Sequence, residues 1–162
     1  MIGRNRFLYA LFHGLEVSDP VLYPNGVFPM ISTNDIPLSK SALKRIVLCS
    51  YIMSGIDGYM DESEFEVIEA FTAANWLETF GDIDEFYKEI DREVLTFFVP
   101  SHGKFELNKE SIVKIIDDLA LEEVSVLQDL MNDVMEADGI IDPAEVSLMK
   151  IIKDHVEARS AC

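Results

Sequence analysis

Asp-Gly-Tyr-Met-Asp-Glu-Ser-Glu occupies residues 57–64, and Asp-Gly-Ile-Ile-Asp-Pro-Ala-Glu occupies residues 138–145. Both stretches fit the pattern D-G-x-x-D-x-x-E, which places three carboxylates around a glycine that can turn the backbone. Each stretch lies between two segments whose apolar residues recur at helical spacing. The sequence therefore predicts a duplicated helix–turn–helix with carboxylates at each turn. We call residues 57–64 elbow 1 and residues 138–145 elbow 2.

The duplication extends into the helices that flank each elbow. The alignment that places residue 57 on residue 138, which we call the repeat alignment, also superposes the apolar positions of the two copies. The aligned pairs are Ile46 with Leu127, Cys49 with Leu130, Met53 with Val134, Phe65 with Val146, Ile68 with Met149, and Phe71 with Ile152. We therefore predict an all-α, compact helical bundle built from two related helix–turn–helix halves, at about residues 39–76 and 121–157. Each amphipathic hairpin must cover its apolar stripe, and the other hairpin is the obvious cover.

The segment between the two halves adds further helices. Asp82 is a good start for a helix whose apolar residues stay in register as far as Phe97, and residues 100–103 interrupt the pattern. Residues 108–137 carry a helical pattern that fits one long helix or two. We favour two, with a break near residues 119–122, although no glycine or proline lies there.

The N-terminal residues differ in character from the rest of the chain. Residues 14–38 contain four prolines and a strong turn at residues 23–26, so they predict an irregular segment without regular helix. Apolar side chains within it indicate packing against the domain. We therefore divide the chain into an N-terminal arm, residues 1–38, and a helical domain, residues 39–157.

Composition restricts the choice of partners and of compartment. The chain has 162 residues, of which 49% are apolar, and a formal net charge of −17. Such a charge repels nucleic acid and anionic membranes and attracts cations and basic protein partners. No apolar run reaches the roughly 18–20 residues of a membrane span. Cys49 and Cys162 do not suggest a disulfide framework, so we expect a cytoplasmic setting.

The carboxylates of the elbows fit a purely structural role. Asp61 with Glu64, and Asp142 with Glu145, have the spacing of a capping box, in which the two side chains bond reciprocally to backbone amides at a helix start. The stretch 82–85 repeats D-x-x-E without a preceding Asp-Gly, so this spacing alone is common in the chain. The Asp-Gly before each cap is the more specific feature.

The same carboxylates also fit a site for a divalent cation. Hard cations bind several oxygen ligands at once, and each elbow supplies three carboxylates. An ordinary EF-hand is excluded, because its first ligand position falls on Met53 in one copy and on Val134 in the other. Each elbow could still form half of a cation site. The remaining ligands would be waters, backbone carbonyls or carboxylates of the other half. The ion would be calcium or zinc.

The arrangement of helix, A-D-G-x-x-D-x-x-E and helix resembles the tellurite-resistance TerB-like family. Residues 136–145, Glu-Ala-Asp-Gly-Ile-Ile-Asp-Pro-Ala-Glu, match closely, whereas residues 54–64 match more loosely because Ile56 stands where the family favours a small residue. The resemblance covers about residues 39–157. It implies a compact all-α bundle of two related halves that binds divalent metal and acts in bacterial stress, tellurite or metal responses. The implied metal ligands are Asp57, Asp61, Glu64, Asp138, Asp142 and Glu145.

An enzymatic function finds no support in the sequence. His13, His102 and His155 are scattered, and no H-E-x-x-H motif, P-loop or G-x-S-x-G elbow is present. We therefore predict a non-enzymatic protein that binds a divalent cation. The alternative is a protein–protein interaction module that needs no metal and whose acidic motifs are helix caps.

Overall fold

Six α-helices carry most of the chain that the computed structural model describes, which is residues 36–56 and 61–162. Most of the predicted arm, residues 1–35, and the first half of elbow 1, residues 57–60, lie outside the described residues. In chain order the elements are α1 (Lys40–Gly55), α2 (Glu62–Asn75), α3 (Ile83–Val94), β1 (Phe98–Ser101), β2 (Lys104–Leu107), α4 (Lys109–Asp117), α5 (Leu121–Glu136) and α6 (Pro143–Ser160). Single 3₁₀ turns, Glu78–Phe80 and Leu95–Phe97, flank α3.

Helix α1 runs through the centre of the domain. Its residues from Ile46 to Gly55 are all buried, as expected of a helix that is apolar on every side. The hydroxyls of Ser50 and Ser54 donate to the carbonyls of Ile46 and Ser50, at 3.0 and 3.2 Å, so these polar groups are satisfied within the helix. α1 packs most extensively against α5 and also contacts α2 and α3. The α1–α5 interface is therefore the core that positions both elbows.

The helix bounds of the two predicted halves agree with the repeat alignment. It places residues 40 and 55, the ends of α1, on residues 121 and 136, the ends of α5, and it places residue 62 on residue 143, where α6 begins. Five of the six aligned apolar pairs are buried in both copies. The remaining pair is Phe65 with Val146. The prediction that Val146 is buried is wrong, because Val146 is 50% exposed, whereas Phe65 is 7% exposed. Phe65 packs on Tyr51, and α3 covers this side of the first half.

A short β-hairpin corrects the all-α prediction: the domain is mostly helical and carries one two-stranded antiparallel sheet. β1 and β2 pair from Phe98 with Leu107 to Ser101 with Lys104. Between them His102 and Gly103 have φ of 49° and 80°, the left-handed values of a tight two-residue hairpin turn. The sequence predicted only an interruption at residues 100–103.

The prediction of two helices between residues 108 and 137 is confirmed. α4 ends at Asp117 and α5 begins at Leu121, without glycine or proline between them. The guanidinium of Arg159, on α6, donates to the carbonyls of Ile116 and Leu119 at 2.6 and 2.9 Å. The carbonyl of Ile116 also accepts from the amide of Leu119 at 3.1 Å, so the guanidinium adds a charged donor at the C-terminal end of α4, which favours the break there.

Two predictions from composition concern disulfides and membranes. Cys49 is buried, Cys162 is exposed, and both are free thiols, so no disulfide joins them. Burial raises the pKa of Cys49 to about 12. Within residues 36–56 and 61–162, no helix combines the length and hydropathy that crossing a bilayer requires.

Candidate functional site

Both elbows begin their second helix with the capping box that the sequence predicts. In elbow 1 the Oδ1 atom of Asp61 accepts from the amide two residues on, at 2.8 Å, and the amide of Asp61 donates to Oε2 of Glu64 at 3.0 Å. In elbow 2 the same contacts at Asp142 and Glu145 measure 2.7 and 3.0 Å. One oxygen of each of these four carboxylates therefore stabilises a helix start.

Asp138 has a local role in elbow 2. Helix α5 has ended before it, and its Oδ1 atom accepts from the amide of Ile140 at 2.8 Å, which forms an Asx turn. Gly139 follows with φ of 76°, and its amide donates to the carbonyl of Glu136 at 3.1 Å. The Asp-Gly pair thus shapes the turn between the helices. Asp57 and Gly58, the corresponding pair of elbow 1, lie outside the described residues.

The left-handed backbone of Gly139 gives a testable prediction. A Cβ atom added there meets no heavy atom within 4 Å, so the cost of Gly139→Ala comes from φ alone. We expect this variant to lose about 1 kcal/mol of unfolding free energy. Gly139→Asn should recover part of that loss, because asparagine tolerates this conformation better than alanine. Urea unfolding of the two variants checks the ranking, and equal losses would contradict it.

The glutamates of the two elbows meet in the interior. Glu64 and Glu145 are each 4% exposed, and they lie close enough for Glu145 to raise the pKa of Glu64. A hydrogen bond between two carboxyl groups requires a proton on one of them. The two halves therefore meet at a pair of buried carboxyl groups, and a hydrogen bond between them would need a shared proton.

The pKa of Glu64 reflects this environment. Burial is the largest cause and raises the pKa of Glu64 to about 8, and the hydrogen bond and charge of Glu145 act in the same direction. The charge of Asp138 also raises this pKa, while the hydrogen bond from the amide of Asp61 lowers it. Because the two glutamates are coupled, the titration belongs to the pair.

The helix start at Asp82 provides an internal comparison. Oδ1 of Asp82 accepts from the amide of Asp84 at 2.7 Å, so this aspartate also caps a helix. Glu85, however, is exposed and pairs with Lys88 at 2.6 Å. D-x-x-E by itself therefore leaves its glutamate at the surface, and burial of the glutamate is a property of the two elbows.

The six predicted metal ligands divide into three groups. Glu64 and Glu145 come together, Asp138 lies close enough for its charge to raise the pKa of Glu64, and Asp61 and Asp142 cap their helices. Asp57 lies outside the described residues. Among the residues that the structure describes, no three histidine, cysteine or acidic side chains are placed to share one ion. The donors at the junction are all oxygen atoms, which suits calcium better than zinc.

Another perturbed carboxyl group was missed by the sequence analysis. Asp91 lies on α3, and burial raises its pKa to about 6. Its Oδ1 atom is buried without a hydrogen-bond partner. Asp91 stands between the buried Ile90 and the charged Arg92, so the apolar pattern does not distinguish it from an ordinary solvent-facing aspartate.

Comparison with known proteins adds no family to this description. No protein-family model matches the chain, and no curated protein or solved structure matches it. The functional interpretation therefore depends on the two elbows and on the geometry of their junction.

Proposed function

We propose that this protein binds a divalent cation at the junction of its two elbows. The supporting observation is the buried pair Glu64 and Glu145, two acidic groups that lie close together and away from solvent, so that their negative charges would repel each other. A proton shared by the two glutamates would reduce this repulsion, and a divalent cation would reduce it further because it carries more charge. The proposed protein is non-enzymatic and TerB-like, and it acts in a bacterial stress or tellurite and metal-resistance response.

The internal duplication supports a site made by both halves. Matched helix bounds and matched capping distances are consistent with two copies of one ancestral helix–turn–helix. Each copy supplies a buried glutamate at the same position of its second helix. Neither half alone offers enough ligands for a hard cation, whereas the two together bring carboxylates from both sides.

At this proposed site, some residues would bind the ion and others would hold the helix starts in place. Glu64 and Glu145 would bind the ion, with further oxygen donors from Asp138 and from Asp57, which holds the corresponding sequence position in elbow 1. Asp61 and Asp142 would keep the helix starts in place through their caps. The ion would replace the proton that the glutamates share, so binding becomes stronger as the pH rises toward the pKa of about 8.

Thermal unfolding with added ions tests the proposal. Calcium at about ten times its Kd should raise Tm by about 3 °C or more, since an ion that binds only the folded state stabilises it by mass action. The double variant Glu64→Gln with Glu145→Gln should lose this shift. Glu123→Gln is the matched control, because Glu123 caps α5 through the amide of Ala120 at 2.8 Å and lies outside the junction.

The outcomes separate metal binding from capping. If neither calcium nor zinc changes Tm, the elbows are helix caps and the cation proposal is wrong. If all variants keep the shift, the ion binds elsewhere on this acidic chain.

A further inference from the structure

The two halves of the domain are covered unequally. On the first half, the ring of Tyr51 lies between Phe65, at 5.6 Å between ring centroids, and Tyr87 of α3, at 6.4 Å. Tyr51, Phe65 and Tyr87 are all buried. Helix α3 is thus an amphipathic helix seated on the flank of the α1–α2 hairpin. Lys44 of α1 holds it from the side through ion pairs with Glu89 and Glu93, at 3.3 and 2.7 Å.

Among the described residues, no helix covers the corresponding flank of the second half. The repeat alignment pairs Tyr51 with Asn132 and Phe65 with Val146, and both Asn132 and Val146 are exposed. In elbow 2, which directly precedes Val146 in the sequence, Ile140 is 71% exposed and Ile141 is 54% exposed. Ile140, Ile141 and Val146 therefore all face solvent, and Val146 occupies the position at which the first half buries Phe65. Exposed apolar groups that cluster in this way are typical of interaction sites.

The open flank also has a strong negative charge. Asp129, Asp133 and Glu136 follow one another along α5 at intervals of four and three residues, on the same side as Asn132. Partial burial raises the pKa of Asp133, and the charges of Asp129 and Glu136 raise it further, so the three groups are near enough to repel. Within the described chain none of the three forms an ion pair.

We propose that this flank is a docking surface for a basic amphipathic helix of a partner protein. We call it the acidic flank, and it consists of Asp129, Asp133, Glu136, Ile140, Ile141 and Val146. On the first half, the amphipathic helix α3 packs on the equivalent side, so a helix is the shape that we expect the flank to bind. The acidic residues favour a basic partner. A lysine- or arginine-rich helix would place positive charge along the acidic row and apolar residues on elbow 2. A second copy of the chain is disfavoured, since each copy has a net charge of −17.

The acidic flank adjoins the proposed cation site in sequence but contains none of its proposed ligands. Glu64 and Glu145 are buried at the junction, whereas all six residues of the flank are exposed. Binding of a helix should therefore persist in the presence of a chelator and in Glu64→Gln. The chelator and Glu64→Gln therefore distinguish failure of one proposal from failure of the other.

Fluorescence anisotropy with synthetic helical peptides tests the docking surface on the full-length chain. The probe is a peptide of about 18 residues with leucines on one face and lysines on both sides of that face, long enough for five helical turns. The comparison peptide has glutamate in place of every lysine. The lysine peptide should bind, and Asp133→Lys and Ile140→Ser should each weaken it about tenfold, a change of about 1.4 kcal/mol. Glu110→Lys and Leu77→Ser are the controls, since both residues are exposed on other elements and should leave the affinity within about twofold.

Several outcomes would overturn the proposal. Equal weakening by Glu110→Lys shows attraction by net charge alone, and binding of the glutamate peptide shows an apolar contact without charge selection. Absence of binding by the lysine peptide also contradicts it. Displacement of the lysine peptide by a synthetic peptide of residues 1–35 assigns the flank to this chain's own arm. Self-association that Ile140→Ser abolishes assigns it to a second copy.

Discussion

Glu64→Gln should stabilise the protein at about pH 9, by about 2 kcal/mol after allowance for solvent screening, and should have little effect at about pH 5. The reason is the raised pKa of Glu64, about 8, at the buried contact with Glu145. A glutamine keeps an oxygen that can accept from the amide of Asp61, and its NH₂ group can donate to Glu145 without a titrating proton. Urea unfolding across this pH range measures the effect.

The direction of this effect follows from proton binding. A carboxyl group whose pKa is higher in the folded state binds its proton more tightly there than in the unfolded chain. Its contribution to stability is complete below the unfolded value of 4.5, decreases as the pH rises, and is lost above about 8. The wild-type protein should therefore lose stability across this interval, whereas Glu64→Gln should not lose this contribution.

Glu123→Gln provides the control for capping. Glu123 occupies the third position of α5, as Glu64 does in α2, and accepts from the amide of Ala120 as Glu64 accepts from the amide of Asp61. We expect its stability curve to run parallel to that of the wild type between about pH 5 and pH 9. If the curve of Glu64→Gln is also parallel, the glutamates do not share a proton.

Phe65→Ala should cost about 3 kcal/mol of unfolding free energy, while Val146→Ala should cost less than about 0.5 kcal/mol. The two residues occupy equivalent positions of the two halves, and only their cover differs. Phe65 is 7% exposed and packs against Tyr51, so its removal leaves a cavity in the core. Val146 is 50% exposed, so its removal leaves none. Chemical denaturation of both variants in the same buffer measures the difference.

The comparison also tests the open flank of the second half. For Val146→Ala, a loss of about 2 kcal/mol or more, which is typical of buried sites, would contradict the exposure of this side chain. Such a result would place another part of the chain on elbow 2. It would also remove the basis for a docking surface there.

The sequence predicted the helices well because apolar periodicity and capping are local properties. Residues such as Asp61 and Asp142 mark a helix start whatever surrounds them. The hairpin at residues 98–107 escaped prediction because each strand is only four residues long and Pro100 and Gly103 resemble a simple interruption. Its formation depends on His102 and Gly103 adopting left-handed backbone angles, which the apolar pattern does not encode.

The candidate site could be predicted only in part. The motif identified both glutamates, but their contact depends on how two halves that lie far apart in the sequence pack against each other. The exposure of Val146 was missed for a related reason. Phe65 and Val146 have the same helical phase, and only the packing of α3 on the first half distinguishes them. Tertiary contacts, and not local pattern, decide both features.

Calorimetric titration with calcium at about pH 7, repeated in buffers of different ionisation enthalpy, tests most directly whether the elbows form a cation site. An ion that replaces the proton between Glu64 and Glu145 should release about one proton per calcium bound. At about pH 9, above the pKa of about 8, the release should fall toward zero. Calcium binding without proton release at about pH 7, or no binding at either pH, would contradict the proposed exchange of proton for metal at the junction.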